Sequence, residues 1–155
     1  MTEKHTILIV DDEKSILSSF KRVFITEPYE IHTAGSGMEA LEKLQQQEVQ
    51  LIISDQRMAG MNGIEFLSKA REICPKAVRV VLSGYSDFST IVNAINKGHI
   101  YKFIEKPWKE KDIRMTIKDC FDRYRLVEEN RVLNKQVKES YEEIKILNEK
   151  LEESL

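Results

Sequence analysis

Leu51-Ile52-Ile53-Ser54-Asp55 decides how this chain is to be read: three consecutive aliphatic residues run through a serine into a lone carboxylate. The stretch that follows, 56–63, is rich in Gly, Met and Asn. A continuous apolar run closed by turn residues reads as a strand buried on both faces. Asp55 then stands at the strand's carboxyl end, the edge where open α/β sheets carry their chemistry. An isolated strand-end Asp is more often a helix cap or a turn residue, so the weight of Asp55 depends on its company.

That company recurs along the chain. Thr6-Ile7-Leu8-Ile9-Val10 is a short β-branched run that ends in Asp11-Asp12-Glu13. Three successive acids repel one another unless something positive sits among them. Residues 77–82 read as a further strand ending in Ser83-Gly84, and residues 101–105 as another ending in Lys106-Pro107. Residues 29–34 have mixed polarity and suit an edge strand. Between these runs, apolar residues fall at helical spacing. Residues 14–26 carry Ile16, Leu17, Phe20, Val23 and Phe24, and the segment after Gly35-Ser36-Gly37 carries Ala40, Leu41 and Leu44. A helix from Gly63 (Ile64, Phe66, Leu67, Ala70, Ile73) stops before Pro75, residues 87–97 present Ile91, Val92, Ala94 and Ile95, and a last helix starts near Lys109. Strands alternating with helices make an α/β domain with a parallel sheet and right-handed crossovers. Every carboxyl end of a parallel sheet opens on one edge, so Asp11, Asp12, Asp55, Ser83 and Lys106 converge on one crevice.

Three carboxylates together suit a hard divalent cation with oxygen ligands, and Mg²⁺ is the one that also receives phosphate oxygens. A carboxylate can itself attack phosphorus to form an aspartyl phosphate. Phosphoryl transfer is mostly positioning and charge neutralisation, for which Lys106 supplies a cation and Ser83 a hydrogen-bond donor. Asp55 is the natural nucleophile, because it stands alone after a central strand and leaves the acidic pair to the metal.

Ile9-Val10-Asp11-Asp12-Glu13, Asp55 with Met58 and the Met61-Asn62-Gly63 turn, Leu82-Ser83-Gly84 and Lys106-Pro107 together resemble the motifs of response-regulator receiver domains of two-component signalling. The resemblance runs over residues 6–118. It implies a five-stranded parallel sheet of flavodoxin-like order 2-1-3-4-5 with helices on both faces, and a receiver domain over residues 1–118. It also implies that Asp55 is the phosphoacceptor for a sensor histidine kinase. Asp12 and Asp55 then bind Mg²⁺ directly, Asp11 through water, and the Arg57 backbone carbonyl adds a ligand. Ser83 is the hydroxyl that swings toward the phosphoryl group, Phe103 the aromatic that follows it inward, and Lys106-Pro107 a cis peptide. Such a module assists its own phosphorylation and dephosphorylation and is no enzyme toward an outside substrate. The chain departs from the family pattern at Ala59, where proline is usual, and at Ser83, where threonine is commoner. Arg57 and Tyr85 occupy positions that flank the attacking water in this family, where their bulk would slow hydrolysis. The wording of residues 83–87 and 98–108 is similar to receivers placed ahead of HD-GYP phosphohydrolases.

Composition narrows the partners. At 155 residues, 41% apolar and 32% charged with net charge −2, the chain has room for one domain and an appendage, and no clustered basic face for nucleic acid. No apolar run reaches the roughly 20 residues of a membrane span. The polar start, residues 1–6, does not read as a signal peptide, and Cys74 and Cys120 are far apart without a CxxC pair. A reduced, cytoplasmic location is expected.

All six glycines and all three prolines lie at or before Pro107, and composition then shifts to Glu, Lys, Leu, Asn and Arg. The last helix therefore runs unbroken toward Leu155, roughly 70 Å at about 1.5 Å per residue. Ile113, Ile117, Cys120 and Phe121 serve the domain. Beyond them Leu126, Asn130, Leu133, Val137, Ile144, Leu147 and Leu151 follow three- and four-residue steps, interrupted at Ser140 with Tyr141 beside it. That is a heptad seam, and Asn130 at a core position favours a parallel two-stranded coiled coil over residues 119–155. The flanking positions offer few opposite charges, so a homodimer is the expected partnership, with the helix leading to an output domain. Two other readings remain. One is a coiled-coil scaffold that takes no phosphate. The other is an Asp-nucleophile phosphatase of haloacid-dehalogenase type, disfavoured because no second Asp follows Asp55 by two residues.

Overall fold

The computed structural model describes residues 5–154, the side chain of Tyr85 excepted. The polar segment 1–4 and the bulk expected of Tyr85 lie outside the described residues. Strands and helices alternate: β1 Thr6–Val10, α1 Lys14–Val23, β2 Glu30–Ala34, α2 Gly37–Gln46, β3 Leu51–Asp55, α3 Gly63–Ile73, β4 Val78–Ser83, α4 Phe88–Asn96, β5 Lys102–Glu105 and α5 Glu110–Ser154. A 3-10 turn, Tyr85–Asp87, precedes α4. The sheet is parallel throughout, in the order β2-β1-β3-β4-β5. This is the order the motifs imply, and β2 is indeed an edge.

The opening stretch sits where its composition requires. β3 is central and all five of its residues are buried. Alternation along the strands divides the core into two layers. Ile7, Ile9, Leu51, Ile53, Val80 and Leu82 face α1 and α5, meeting Phe20, Phe24, Ile113 and Ile117. Leu8, Val10, Ile52 and Val81 face α2, α3 and α4, meeting Leu44, Phe66, Leu67 and Ile91. Burial of each such side chain stabilises the fold by roughly 1.5–3 kcal/mol before conformational entropy is set against it.

Most boundaries lie within one residue of the sequence reading, and the differences that matter are at α1 and at the start of α4. Helix α1 stops at Val23 rather than at 26. Phe24 still reaches the core, but Ile25 is 80% exposed, so the apolar stripe has run out. Pro28 also disfavours helix in the residue before it. Helix α4 begins at Phe88, after the 3-10 turn has carried the chain away from Ser83. The start of α2 is tied down twice: Ser36 Oγ at the N-cap accepts from the Glu39 N–H, and Glu39 Oε2 reaches back to accept from the Gly35 N–H one residue before the cap.

Helix α5 changes character along its length. Ile113, Ile117, Cys120 and Phe121 are buried, whereas every described residue from 129 onward is exposed. Arg114 fastens its start to the domain, donating to Glu27 Oε1 at 2.6 Å and to the Val23 carbonyl of α1 at 2.6 Å. His5 stacks on Phe121 at 4.5 Å, and Lys76 meets Glu128 at 3.7 Å where the helix leaves the domain.

Candidate functional site: an acidic crevice at the strand ends

The parallel register brings the chemistry-bearing residues to one edge. Val10 pairs with Ser54, Asp55 with Leu82, and Ser83 with Glu105. Asp11, Asp55, Ser83 and Lys106 are therefore carried to neighbouring strand ends. Carboxylate oxygens of Asp11, Asp12 and Asp55 all lie within 4.8 Å of one another. Lys106 Nζ donates to Asp55 Oδ1 at 2.6 Å, setting one cation against the three acids.

Burial distinguishes the acids. Asp11 is 1% and Asp55 6% exposed, while Asp12 faces solvent. Asp11 Oδ1 accepts from the Glu13 N–H at 2.9 Å, but Oδ2 is buried without a partner. Burial raises the Asp11 pKa to about 6; the Glu13 N–H and Lys106 oppose the shift, and the charges of Asp55 and Asp12 add to it. An oxygen left buried and unpaired costs free energy until a cation or a proton meets it. Asp12 Oδ2 accepts from the Ala59 N–H at 3.3 Å. The proline usual at position 59 has no N–H to give, so this departure from the family pattern adds a contact.

The loop after Asp55 is held by its own backbone. Gly63 N–H donates to the Gln56 carbonyl, and Gln56 N–H to the Leu82 carbonyl. A Cβ on Gly63 would lie 2.3 Å from the Asp55 carbonyl oxygen, so only glycine allows this approach. Gln56 is 6% exposed and its Oε1 accepts from the Ile64 N–H at 2.9 Å, while Asn62 caps α3 through the Glu65 N–H. Nothing in the sequence singles out Gln56, because a glutamine in a polar loop is ordinary; only its burial reveals it.

Ser83 closes β4 at 2% exposure, and the Lys106 N–H donates to its carbonyl at 2.9 Å. Its hydroxyl lies 3.0 Å from the Gly84 carbonyl and 3.3 Å from Asp87 Oδ2. Arg57 extends its side chain to the same region, with Nε 3.3 Å from Asp87 Oδ2 and Nη2 2.7 Å from Ser86 Oγ. Phe103 is half-buried and meets the exposed Phe88 edge-on at 6.4 Å. The Lys106-Pro107 peptide is cis.

This arrangement has relatives. A family profile described as the response regulator receiver domain matches residues 7–118. The hydrogenase transcriptional regulatory protein HoxA of Bradyrhizobium diazoefficiens is 35% identical over 145 residues, covering 94% of this chain but 30% of HoxA. This chain thus spans under a third of that relative's length. Among solved structures, one described as the adenylate cyclase from Rhodopirellula baltica superposes with a TM-score of 0.82 at 36% identity, covering 86% of this chain and 98% of that one. The signal receiver domain of an HD domain-containing protein from Pseudomonas fluorescens does so with a TM-score of 0.78 at 29% identity, covering 83% and 95%. With fold, motif positions and family profile in agreement, the chain belongs to the response-regulator receiver domains of two-component signalling.

Proposed function

We propose that Asp55 accepts a phosphoryl group from a sensor histidine kinase, with Mg²⁺ held by Asp11, Asp12, Asp55 and the Arg57 carbonyl. The observation that carries this reading is the cluster of three carboxylates with Lys106 at 2.6 Å from the buried Asp55. The donor set is all oxygen, and the orphaned Asp11 Oδ2 is an atom a cation would satisfy. When bound, the ion neutralises charge on the phosphoryl oxygens. In the transfer, a carboxylate oxygen of Asp55 forms a P–O bond as the P–N bond to the donor's imidazole breaks, and the imidazole leaves with that electron pair. Lys106 balances charge at Asp55, and Ser83 donates to a phosphoryl oxygen once transfer is complete, with Phe103 moving inward behind it.

Residues 1–118 act as the receiver and 119–155 as a helical extension. The extension pairs with a second copy and carries the switch toward an output domain, in the cytoplasm. The known relatives join receivers to different outputs, including transcriptional regulators and a protein with an HD domain. Among the described residues no helix is long and apolar enough to cross a membrane.

Intact mass after incubation with acetyl phosphate and Mg²⁺ tests the assignment on the wild type and on Asp55→Asn. One phosphoryl adduct in the wild type alone, lost when the metal is chelated, is expected. If neither folded protein gains an adduct, the phosphoacceptor reading fails and the exposed seam of α5 makes a coiled-coil scaffold the better account.

A further inference from the structure

Asp87 occupies the N-cap position of α4, where an aspartate ordinarily accepts a hydrogen bond from a backbone N–H of the first turn. It makes no such bond, whereas Ser36 and Asn62 at the starts of α2 and α3 both do. Its carboxylate is engaged elsewhere: Oδ2 lies 3.3 Å from Ser83 Oγ and 3.3 Å from Arg57 Nε. Three elements meet in this one carboxylate, since Arg57 follows β3, Ser83 ends β4 and Asp87 begins α4.

A serine hydroxyl has one proton. Here two acceptors compete for it, the Gly84 carbonyl at 3.0 Å and Asp87 Oδ2 at 3.3 Å, both on the side where α4 begins. While it donates there, it cannot donate to a phosphoryl oxygen on Asp55. The Arg57–Asp87 pair is weak as an ion pair, because the Arg57 side chain is 72% exposed. Its consequence is geometric: with Arg57 and Ser86 joined as well, the carboxylate stays over Ser83 and away from the α4 backbone.

Resting on the reading of Asp55 as phosphoacceptor, we propose that Asp87 is a positioning residue that restrains the Ser83 hydroxyl in the unphosphorylated chain. Phosphorylation draws the hydroxyl away, and the released carboxylate is then free to cap α4. A single exchange of hydrogen bonds thereby couples the crevice to the start of that helix. No bond other than hydrogen bonds changes in this exchange.

Beryllium trifluoride, which stands in for a phosphoryl group on a carboxylate, reads the equilibrium directly. Its affinity in the presence of Mg²⁺ is measured by calorimetry on the full chain, with Asp55→Asn marking the site and circular dichroism confirming the fold of each variant. Removing the restraint by Asp87→Ala should tighten binding about fivefold, the worth of roughly one net hydrogen bond. Asp87→Asn keeps the capping preference and the shape, and should show a smaller gain in the same direction. In a Ser83→Ala background the Asp87→Ala gain should vanish, since there is no hydroxyl left to restrain. An unchanged affinity in Asp87→Ala, or a gain that survives without the Ser83 hydroxyl, overturns the restraint and leaves the phosphoacceptor reading standing. A folded wild type that does not bind the probe at all sinks both.

Discussion

The Asp11 carboxyl, with a pKa raised to about 6 from 3.8, links the crevice to stability. Between those two values the folded chain keeps a proton that the unfolded chain has released, so stability falls as pH rises through the window. Below it the penalty is absent, and above it the penalty is complete, at most about 3 kcal/mol. In chelator, Asp11→Asn should therefore raise the urea midpoint near pH 7.5 by an amount that shrinks toward about pH 4.5. Equal effects at both pH values would show that burial of the charge is not the cause. Asp11 was legible as an acid at a strand end; its desolvation was not, because burial depends on what the rest of the sheet covers. Gln56 and Asp87 make the same point. In the sequence Asp87 is only the first residue of a helical segment, and the fold shows its carboxylate turned to Ser83 and Arg57.

At the scale of elements, Arg114 is the fastening between α5 and α1. Val23 is the last residue of α1, and its carbonyl lacks an intrahelical partner, as do the other carbonyls of a final turn. Arg114 supplies that partner and pairs with Glu27 and Glu110 as well. Its guanidinium is partly open to water, so the substitution Arg114→Ala should cost only about 1 kcal/mol, read as a shift in the denaturant midpoint. A loss several times larger would mean that α5 detaches as a unit. Apolar spacing marked both helices in the sequence, with α1 placed three residues too long. The spacing persists through Phe24, but the turn to β2 needs that residue outside the helix, held at its end by tertiary packing.

For the whole molecule, the exposed half of α5 is the feature that a single chain leaves unsatisfied. Leu126, Leu133, Val137, Ile144, Leu147 and Leu151 are each between 57% and 68% exposed. Asn130, Val137 and Ile144 fall at one position of the heptad spacing and Leu133 and Leu147 at the other, the pattern on which the proposed pairing with a second copy rests. Sedimentation equilibrium should find a dimer whose melting temperature rises with protein concentration. Ending the chain after Arg125 should abolish both behaviours while leaving the domain folded, because the buried core residues of α5 end at Phe121. A full-length chain that stays monomeric at about 100 µM, where a complex of micromolar Kd is mostly formed, would remove the seam as an interface.

Order and type of the elements, the strand ends carrying chemistry, and the unbroken last helix were all determined by the sequence itself. These are local properties: a run of aliphatics, a breaker, or a spacing of three and four has its meaning within a few residues. Tertiary structure alone decided the rest. It made Gly63 obligatory by bringing the Asp55 carbonyl against it, left Asp11 Oδ2 without a partner, and took Asp87 from its helix to Ser83. Each of these arises where segments distant in the chain come within a few ångströms, and contacts of that kind exist only once the sheet has closed.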